Sequence, residues 1–222
     1  MNGAIAVRLS ASLIALPACF LVACVDAATG DEPAASGPEV AAVEGPQGAQ
    51  HCVVSPSSQV TCYDTFTAAI AAATNGEIAD APADPRLAID DDAFTTRINA
   101  IGDRVRANAA GIGEKANKAV VVIGISYKDA HYNTGGGTWV WEKPWGCDGN
   151  LASSDWWVEN LNVPPFSDFG FNDSISSFHS YNNCRTQLFE DWRFLGSRTP
   201  LTGDMDYVGD AMNDRASSIA WY

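Results

Sequence analysis

The sequence contains few basic residues. Its 222 residues include 13 lysines and arginines against 27 aspartates and glutamates, which gives a formal net charge of −14. A protein that binds nucleic acid needs a basic surface to neutralise phosphates, so this balance argues against a nucleic-acid partner. An excess of carboxylates instead favours cations or a cationic partner surface.

The sequence also lacks the motifs of the common catalytic centres. It has three histidines, His51, His131 and His179, and none has a nucleophile or carboxylate placed in a catalytic pattern. It contains no G-x-S-x-G, H-E-x-x-H or phosphate-binding loop. We therefore expect a protein that is not an enzyme.

No apolar run is long enough to predict a membrane span. The apolar stretch 11–22 is too short for one and is typical of an export signal, which we place at residues 1–23. Leu21 to Cys24 resembles the bacterial lipobox, in which the cysteine carries a lipid, so Cys24 is the candidate lipidation site. Lipidated, the protein would be held at the cell envelope surface, with the membrane contacted only through this anchor. Cleaved without lipidation, it would be secreted.

The segment that follows the signal has the composition of a tether. Residues 24–50 are rich in alanine, glycine, proline and acids. Such a composition buries too little apolar surface to become ordered, so we predict a disordered linker.

Four of the six cysteines remain for the folded part: Cys52, Cys62, Cys147 and Cys184. In an oxidising compartment this number suggests two disulfides. Cys52 and Cys62 flank a predicted hairpin with a Pro-Ser-Ser turn, and we expect them to pair. Cys147 and Cys184 would then form the second bridge. A zinc site is the alternative, but the spacing lacks C-x-x-C and nearby histidines.

Residues 51–118 are predicted to form this hairpin and two helices. The first helix begins after Asp64 or Thr65 and ends at Asn75 and Gly76. The second follows the acidic run 90–92, because apolar residues then recur at helical spacing. Acids at a helix N-terminus are stabilised by the helix dipole, which we prefer to a metal site. The apolar stripe could cover the following β domain or pack on the hairpin.

One six-residue pattern occurs twice, at residues 172–177 and 213–218. Each copy is a polar turn, Asn-Asp-x-x-Ser-Ser, followed by apolar residues that can enter a strand. Carboxylates, hydroxyls and carbonyls are the ligands that Ca²⁺ prefers. A single copy would indicate only a turn, whereas two copies indicate a duplicated supersecondary unit.

A second element accompanies each turn. Aromatic residues spaced by five, Tyr127 with Tyr132 and Phe189 with Phe194, are followed by a glycine. Together these motifs resemble those of the microbial, calcium-binding βγ-crystallins. The resemblance implies a mainly β fold, in which two Greek keys form a sandwich over residues 119–222. It implies a longer connection in the first key, which we place as an insertion at about 142–165.

The resemblance also implies two Ca²⁺ sites that exchange ligands between the keys. Ser176 and Ser217 would offer hydroxyls, while Ser174 and Arg215 would offer main-chain carbonyls. Lys128 stands where the family often has an acid, so its contribution would be a backbone carbonyl. The candidate metal residues are Asn172, Asp173, Ser174, Ser176, Asn213, Asp214, Arg215, Ser217, Lys128 and Glu190.

Tryptophans provide the basis for a second class of function. Trp139 and Trp141 alternate along a predicted strand and share one face, where we expect them to pack in the core. Trp156 and Trp157 stay open between packing and binding. A solvated tryptophan cluster would suit a carbohydrate-binding module.

A third hypothesis is a secreted protease inhibitor. The streptomycete metalloproteinase inhibitors share the Greek-key fold, and residues 142–165 would be the reactive loop.

Overall fold

A computed structural model of the protein describes residues 50–111, 120–133 and 135–222. The export signal at 1–23, Cys24 and the tether lie outside these ranges, except that Gln50 begins the first strand instead of ending the tether. The strands are β1 (Gln50–Val54), β2 (Val60–Tyr63), β3 (Val121–Tyr127), β4 (Gly137–Lys143), β5 (Trp156–Val158), β6 (Ser177–Ser180), β7 (Thr186–Phe189), β8 (Asp204–Met205) and β9 (Ser218–Trp221). The helices are α1 (Phe66–Ala73), α2 (Pro85–Asp90) and α3 (Asp92–Gly111).

The strands form two sheets that exchange one strand each. The first sheet has the order β2-β1-β4-β3-β6-β8, and the second has the order β5-β9-β7. The first Greek key runs from β3 to β6, but its third strand, β5, pairs with β9 of the second key. Conversely, β8 of the second key pairs with β6 of the first. This exchange joins the keys into one sandwich, so the predicted βγ-crystallin-like fold is confirmed. The span 142–165, predicted as an insertion, therefore contains the end of β4 and all of β5.

The N-terminal hairpin belongs to the first sheet. In the hairpin, Cys52 lies opposite Cys62 and the two form a disulfide, as predicted. β1 also pairs in parallel with β4, from Gln50 beside Gly137 to Val54 beside Trp141. The hairpin that we assigned to a separate region therefore extends the sheet by two strands.

The second predicted disulfide, Cys147–Cys184, is also present. It links the loop after β4 to the segment before β7. The Cys147 N–H donates to the carbonyl of Asn182 at 3.0 Å beside it. The bridge thus fastens the loop after β4 to the junction between the two keys.

Local capping chemistry sets the start of the two predicted helices. The Thr65 hydroxyl accepts from the Ala68 N–H at 3.2 Å at the start of α1. The Asp91 carboxylate accepts from the N–H of Ala93 at 2.9 Å before α3, so the acidic run is a helix cap. The prediction of two helices missed α2, which is six residues long and too short to show a helical period.

The helices cover the outer face of the first sheet. Phe66 of α1 lies 5.9 Å from His51 of β1, and Phe94 of α3 lies 6.3 Å from Tyr181, measured between ring centroids. The apolar stripe of α3 therefore covers the β domain, which answers the question left open by the sequence. No helix among the described residues has the length and apolar character needed to cross a membrane.

The opposite face of the first sheet packs against the second sheet. Trp139 and Trp141 lie there and are buried, as predicted. The Trp139 ring lies 4.4 Å from Phe171, and the Trp141 ring lies 5.0 Å from Trp221 on β9. The two indoles that alternate along β4 are thus core residues and do not form a binding surface.

Candidate metal centre

The two repeated turns adopt the same backbone conformation. Asp173 and Asp214 have left-handed φ angles of 52° and 53°, which aspartate tolerates better than most residues. In each turn the preceding asparagine donates its side-chain N–H to this aspartate, over 2.6 Å from Asn172 and 2.8 Å from Asn213. Each asparagine therefore braces the carboxylate beside it.

Each key has an aromatic hairpin, Tyr127 to Tyr132 in the first key (the first hairpin) and Phe189 to Phe194 in the second key (the second hairpin). The last serine of each turn ties the turn to the hairpin of its own key. Ser177 Oγ donates to the Asp129 carbonyl at 2.7 Å, and Ser218 Oγ donates to the Asp191 carbonyl at 2.7 Å. Each hydroxyl also accepts from the N–H of the hairpin aromatic, Tyr132 or Phe194. Ser177 and Ser218 were not among the predicted site residues, although their repetition in the sequence was a usable signal.

The penultimate serines face the opposite key. Ser176 Oγ donates to Asp214 Oδ1 at 3.1 Å, and Ser217 Oγ lies 3.4 Å from Asp173 Oδ1. Each pair combines a hydroxyl from one turn with a carboxylate from the other. We call Ser176 with Asp214 the first oxygen pair, and Ser217 with Asp173 the second oxygen pair.

An open depression of about 580 Å³ lies at the first oxygen pair. Lys128 and Asp129 of the first hairpin line it together with Ser174. Ser174 Oγ donates within its own turn, to the Gly170 carbonyl at 2.6 Å. This bond turns the Ser174 hydroxyl toward its own turn, which is consistent with the prediction that Ser174 would offer its main-chain carbonyl. Six of the ten predicted metal residues line this depression: Lys128, Asp173, Ser174, Ser176, Asn213 and Asp214.

At the second hairpin, the predicted ligand Glu190 is already engaged. Its carboxylate accepts from the Ser197 N–H at 3.2 Å and forms an ion pair with Arg215. The hydrogen bonds from Ser197 and the positive charge of Arg215 lower the pKa of Glu190. Arg215 and Glu190 therefore hold the second turn against its hairpin through their side chains.

The ligand atoms available around the two oxygen pairs decide which cation could bind there. Over the residues that the structure covers, no group of three or more His, Cys, Asp or Glu side chains is placed to hold a metal ion. A cation here would depend on hydroxyl and carbonyl oxygens in addition to one carboxylate, a combination that suits Ca²⁺ and disfavours zinc. The Asn172 Oδ1 atom is buried and has no hydrogen-bond partner, so the first turn also holds an unused acceptor.

Comparisons with solved structures find bacterial βγ-crystallin domains. One from Clostridium beijerinckii is 20% identical, matches 45% of this chain and 97% of its own, and has a TM-score of 0.33. One from Flavobacterium johnsoniae is 27% identical, matches 45% of this chain and 93% of its own, and has a TM-score of 0.30. The two sheets of the region from β3 to β9, which exchange one strand each, have a βγ-crystallin-like arrangement. No protein-family model and no curated protein matches the chain.

Proposed function

We propose that this protein is an exported, non-enzymatic Ca²⁺-binding protein, held at the cell envelope surface by a lipid on Cys24. The two crossed oxygen pairs carry the calcium part of the proposal. A serine hydroxyl and an aspartate from different keys meet within 3.1 Å in one pair and 3.4 Å in the other. Turns that served only to reverse the chain would not need this matched pairing.

Ca²⁺ bound at these pairs would add positive charge between two groups of oxygen atoms from different keys. At the first pair the ligands would be Ser176 and Asp214, with main-chain oxygens of Ser174 and Lys128. At the second pair they would be Ser217 and Asp173, with main-chain oxygens of Arg215 and Glu190. Because each cation would link one key to the other, binding would stabilise the sandwich. A ligand that binds only the folded state raises stability by RT ln(1 + [L]/Kd).

Calorimetric titration of Ca²⁺ into chelator-treated protein tests this proposal. We expect about two ions per chain, with dissociation constants from micromolar to millimolar, and a melting temperature that rises with Ca²⁺. Asp173→Asn and Asp214→Asn should each weaken one site about tenfold or more, because a hard cation loses an anionic ligand. Asparagine also tolerates the left-handed backbone at both positions, so the fold should survive.

Asp103→Asn is the matched control. Asp103 lies on α3 with 74% of its side chain exposed, and its replacement makes the same charge change away from both pairs. It should leave Ca²⁺ affinity unchanged. Absence of both binding heat and a thermal shift in the unaltered protein would refute the calcium proposal.

The anchor is tested by the mass of the mature protein isolated from the membrane fraction. We expect an N-terminal residue, Cys24, that carries a diacylglyceryl mass, because Leu21 to Cys24 resembles a lipobox. Cys24→Ala should move the protein from the membrane to the soluble fraction. An unmodified N-terminus at another residue would show that the protein is not anchored in this way.

A further inference from the structure

The second hairpin carries an exposed tryptophan that the fold does not require. Trp192 lies two residues before Phe194 and is 50% exposed. The equivalent residue in the first hairpin, two before Tyr132, is Ala130. Both hairpins hold the same aromatic contact, Tyr127 with Tyr132 at 5.3 Å and Phe189 with Phe194 at 5.4 Å. An alanine therefore satisfies the backbone at this position, and the large indole needs another explanation.

Trp192 lines a cleft of about 290 Å³ beside the second oxygen pair. The other lining residues are Asn160, Asn162, Asp191 and Ser217. They supply amide donors, amide and carboxylate acceptors and a hydroxyl, next to one aromatic ring. No lysine, arginine or histidine is among the described residues that line this cleft. Its volume is at the lower end of the range for small-molecule sites.

Hydrogen bonds hold the walls of the cleft in place. The Arg193 N–H donates to the Glu159 carbonyl at 2.8 Å, and the Leu161 N–H donates to the Ser217 carbonyl at 2.8 Å. Within the loop after β5, the Asn162 N–H donates to Asn160 Oδ1 at 2.8 Å. These bonds join the loop after β5, the second hairpin and the second turn. The site is therefore built before a ligand arrives, which lowers the entropic cost of binding.

The orientation of the Trp192 indole is also fixed by a contact. The Arg193 guanidinium lies 4.4 Å from the centroid of the Trp192 ring system, a cation–π contact. This contact orients the ring while half of the residue stays in solvent. A fixed, exposed indole offers an apolar surface at a small entropic cost, which is the reason aromatic residues are frequent in recognition sites.

We propose that this cleft binds a neutral saccharide. The C–H face of a pyranose ring would stack on the face of the Trp192 indole that the Arg193 guanidinium does not cover. Hydroxyl groups would exchange hydrogen bonds with the amides of Asn160 and Asn162 and with the Asp191 carboxylate. An anionic sugar would be repelled by Asp191 and by a chain of net charge −14. This inference goes beyond calcium binding, because Trp192, Asn160, Asn162 and Asp191 belong to neither oxygen pair, and the cleft shares only Ser217 with the second pair.

Isothermal titration of the full-length protein with neutral oligosaccharides of glucose, xylose, mannose and N-acetylglucosamine tests the inference. We expect at least one series to bind. Trp192→Ala should weaken that binding about tenfold or more, since the stacking surface is lost. It should leave the melting temperature nearly unchanged, because alanine occupies the equivalent position of the first hairpin. Trp192→Phe, which keeps an aromatic ring, should retain part of the affinity.

Trp157→Ala is the matched control. Trp157 is 51% exposed and does not line the cleft, so its removal should not change saccharide affinity. Each titration is run once with Ca²⁺ and once with a chelator, so that a failure of the calcium sites is distinguished from a failure of the cleft. Absence of binding to every series, or binding that Trp192→Ala leaves intact, would overturn the inference.

Discussion

Trp141→Ala should lower the free energy of unfolding by about 3 to 5 kcal/mol, the range for removal of a large buried aromatic. Trp141 is 1% exposed and packs between the sheets, with its ring 5.5 Å from Phe171 and 5.0 Å from Trp221. Its indole N–H donates to Ser126 Oγ at 3.0 Å. Alanine would leave a cavity and an unpaired buried hydroxyl, and both effects destabilise. Denaturant-induced unfolding followed by circular dichroism measures the change.

Trp157→Ala provides the comparison for this variant as well. Trp157 lies on β5 opposite Ala220, and half of it is exposed. Its removal should change the free energy of unfolding by less than about 1 kcal/mol, as for most surface substitutions. Equal destabilisation by the two variants would show that Trp141 does not occupy the core between the sheets.

Glu142→Gln should make the protein more stable at pH 8, by at most about 3 kcal/mol, and should change stability little at pH 4. Glu142 is 7% exposed on β4, and burial raises its pKa from 4.5 to about 7. Between these two values the folded state keeps a proton that the unfolded state releases, so stability falls as the pH rises. The stabilising contribution is complete below the unfolded pKa and is lost once the pH passes the folded pKa. Glutamine resembles the protonated form at every pH and removes this dependence.

The measurement is the pH dependence of the melting temperature for both proteins between pH 4 and 8. His51 and His179 change stability in the opposite direction, because burial lowers the pKa of each. Their effect is common to both proteins and cancels in the difference. Parallel pH profiles for the two proteins would show that folding does not raise the pKa of Glu142.

Features fixed by neighbours in the chain could be predicted from the sequence. Thr65 and Asp91 begin helices because a short polar side chain satisfies N–H groups only two or three residues away. The hairpin closed by Cys52 and Cys62 follows from a turn sequence between two cysteines. The repeated turns predicted a duplicated unit, because both copies keep the same residues at the same spacing, and their resemblance to those of βγ-crystallins implied the Greek keys.

Features that depend on residues far apart in the sequence could not be predicted in this way. The parallel pairing of β1 with β4 has no local signal, since parallel strands must be joined by a long connection. The saccharide cleft was missed for the same reason. Asn160 and Trp192 belong to different keys, and their segments meet through the pairing of β5 with β9 and the bond from the Arg193 N–H to the Glu159 carbonyl.

The sequence by itself predicted the Cys52–Cys62 pair and the starts of α1 and α3, because a hairpin turn and helix caps are properties of short stretches of chain. The two-key fold followed from the resemblance of the repeated turns to those of βγ-crystallins. Tertiary structure alone decided that Trp157 is half exposed, which the sequence had left open. Trp141 and Trp157 both lie on strands, but Trp141 faces the opposite sheet while Trp157 is half exposed. It also decided which serine meets which aspartate, because Ser176 and Asp214 come together only when the keys exchange strands. Burial and cross-key pairing depend on how the sheets pack, and a local pattern does not contain that information.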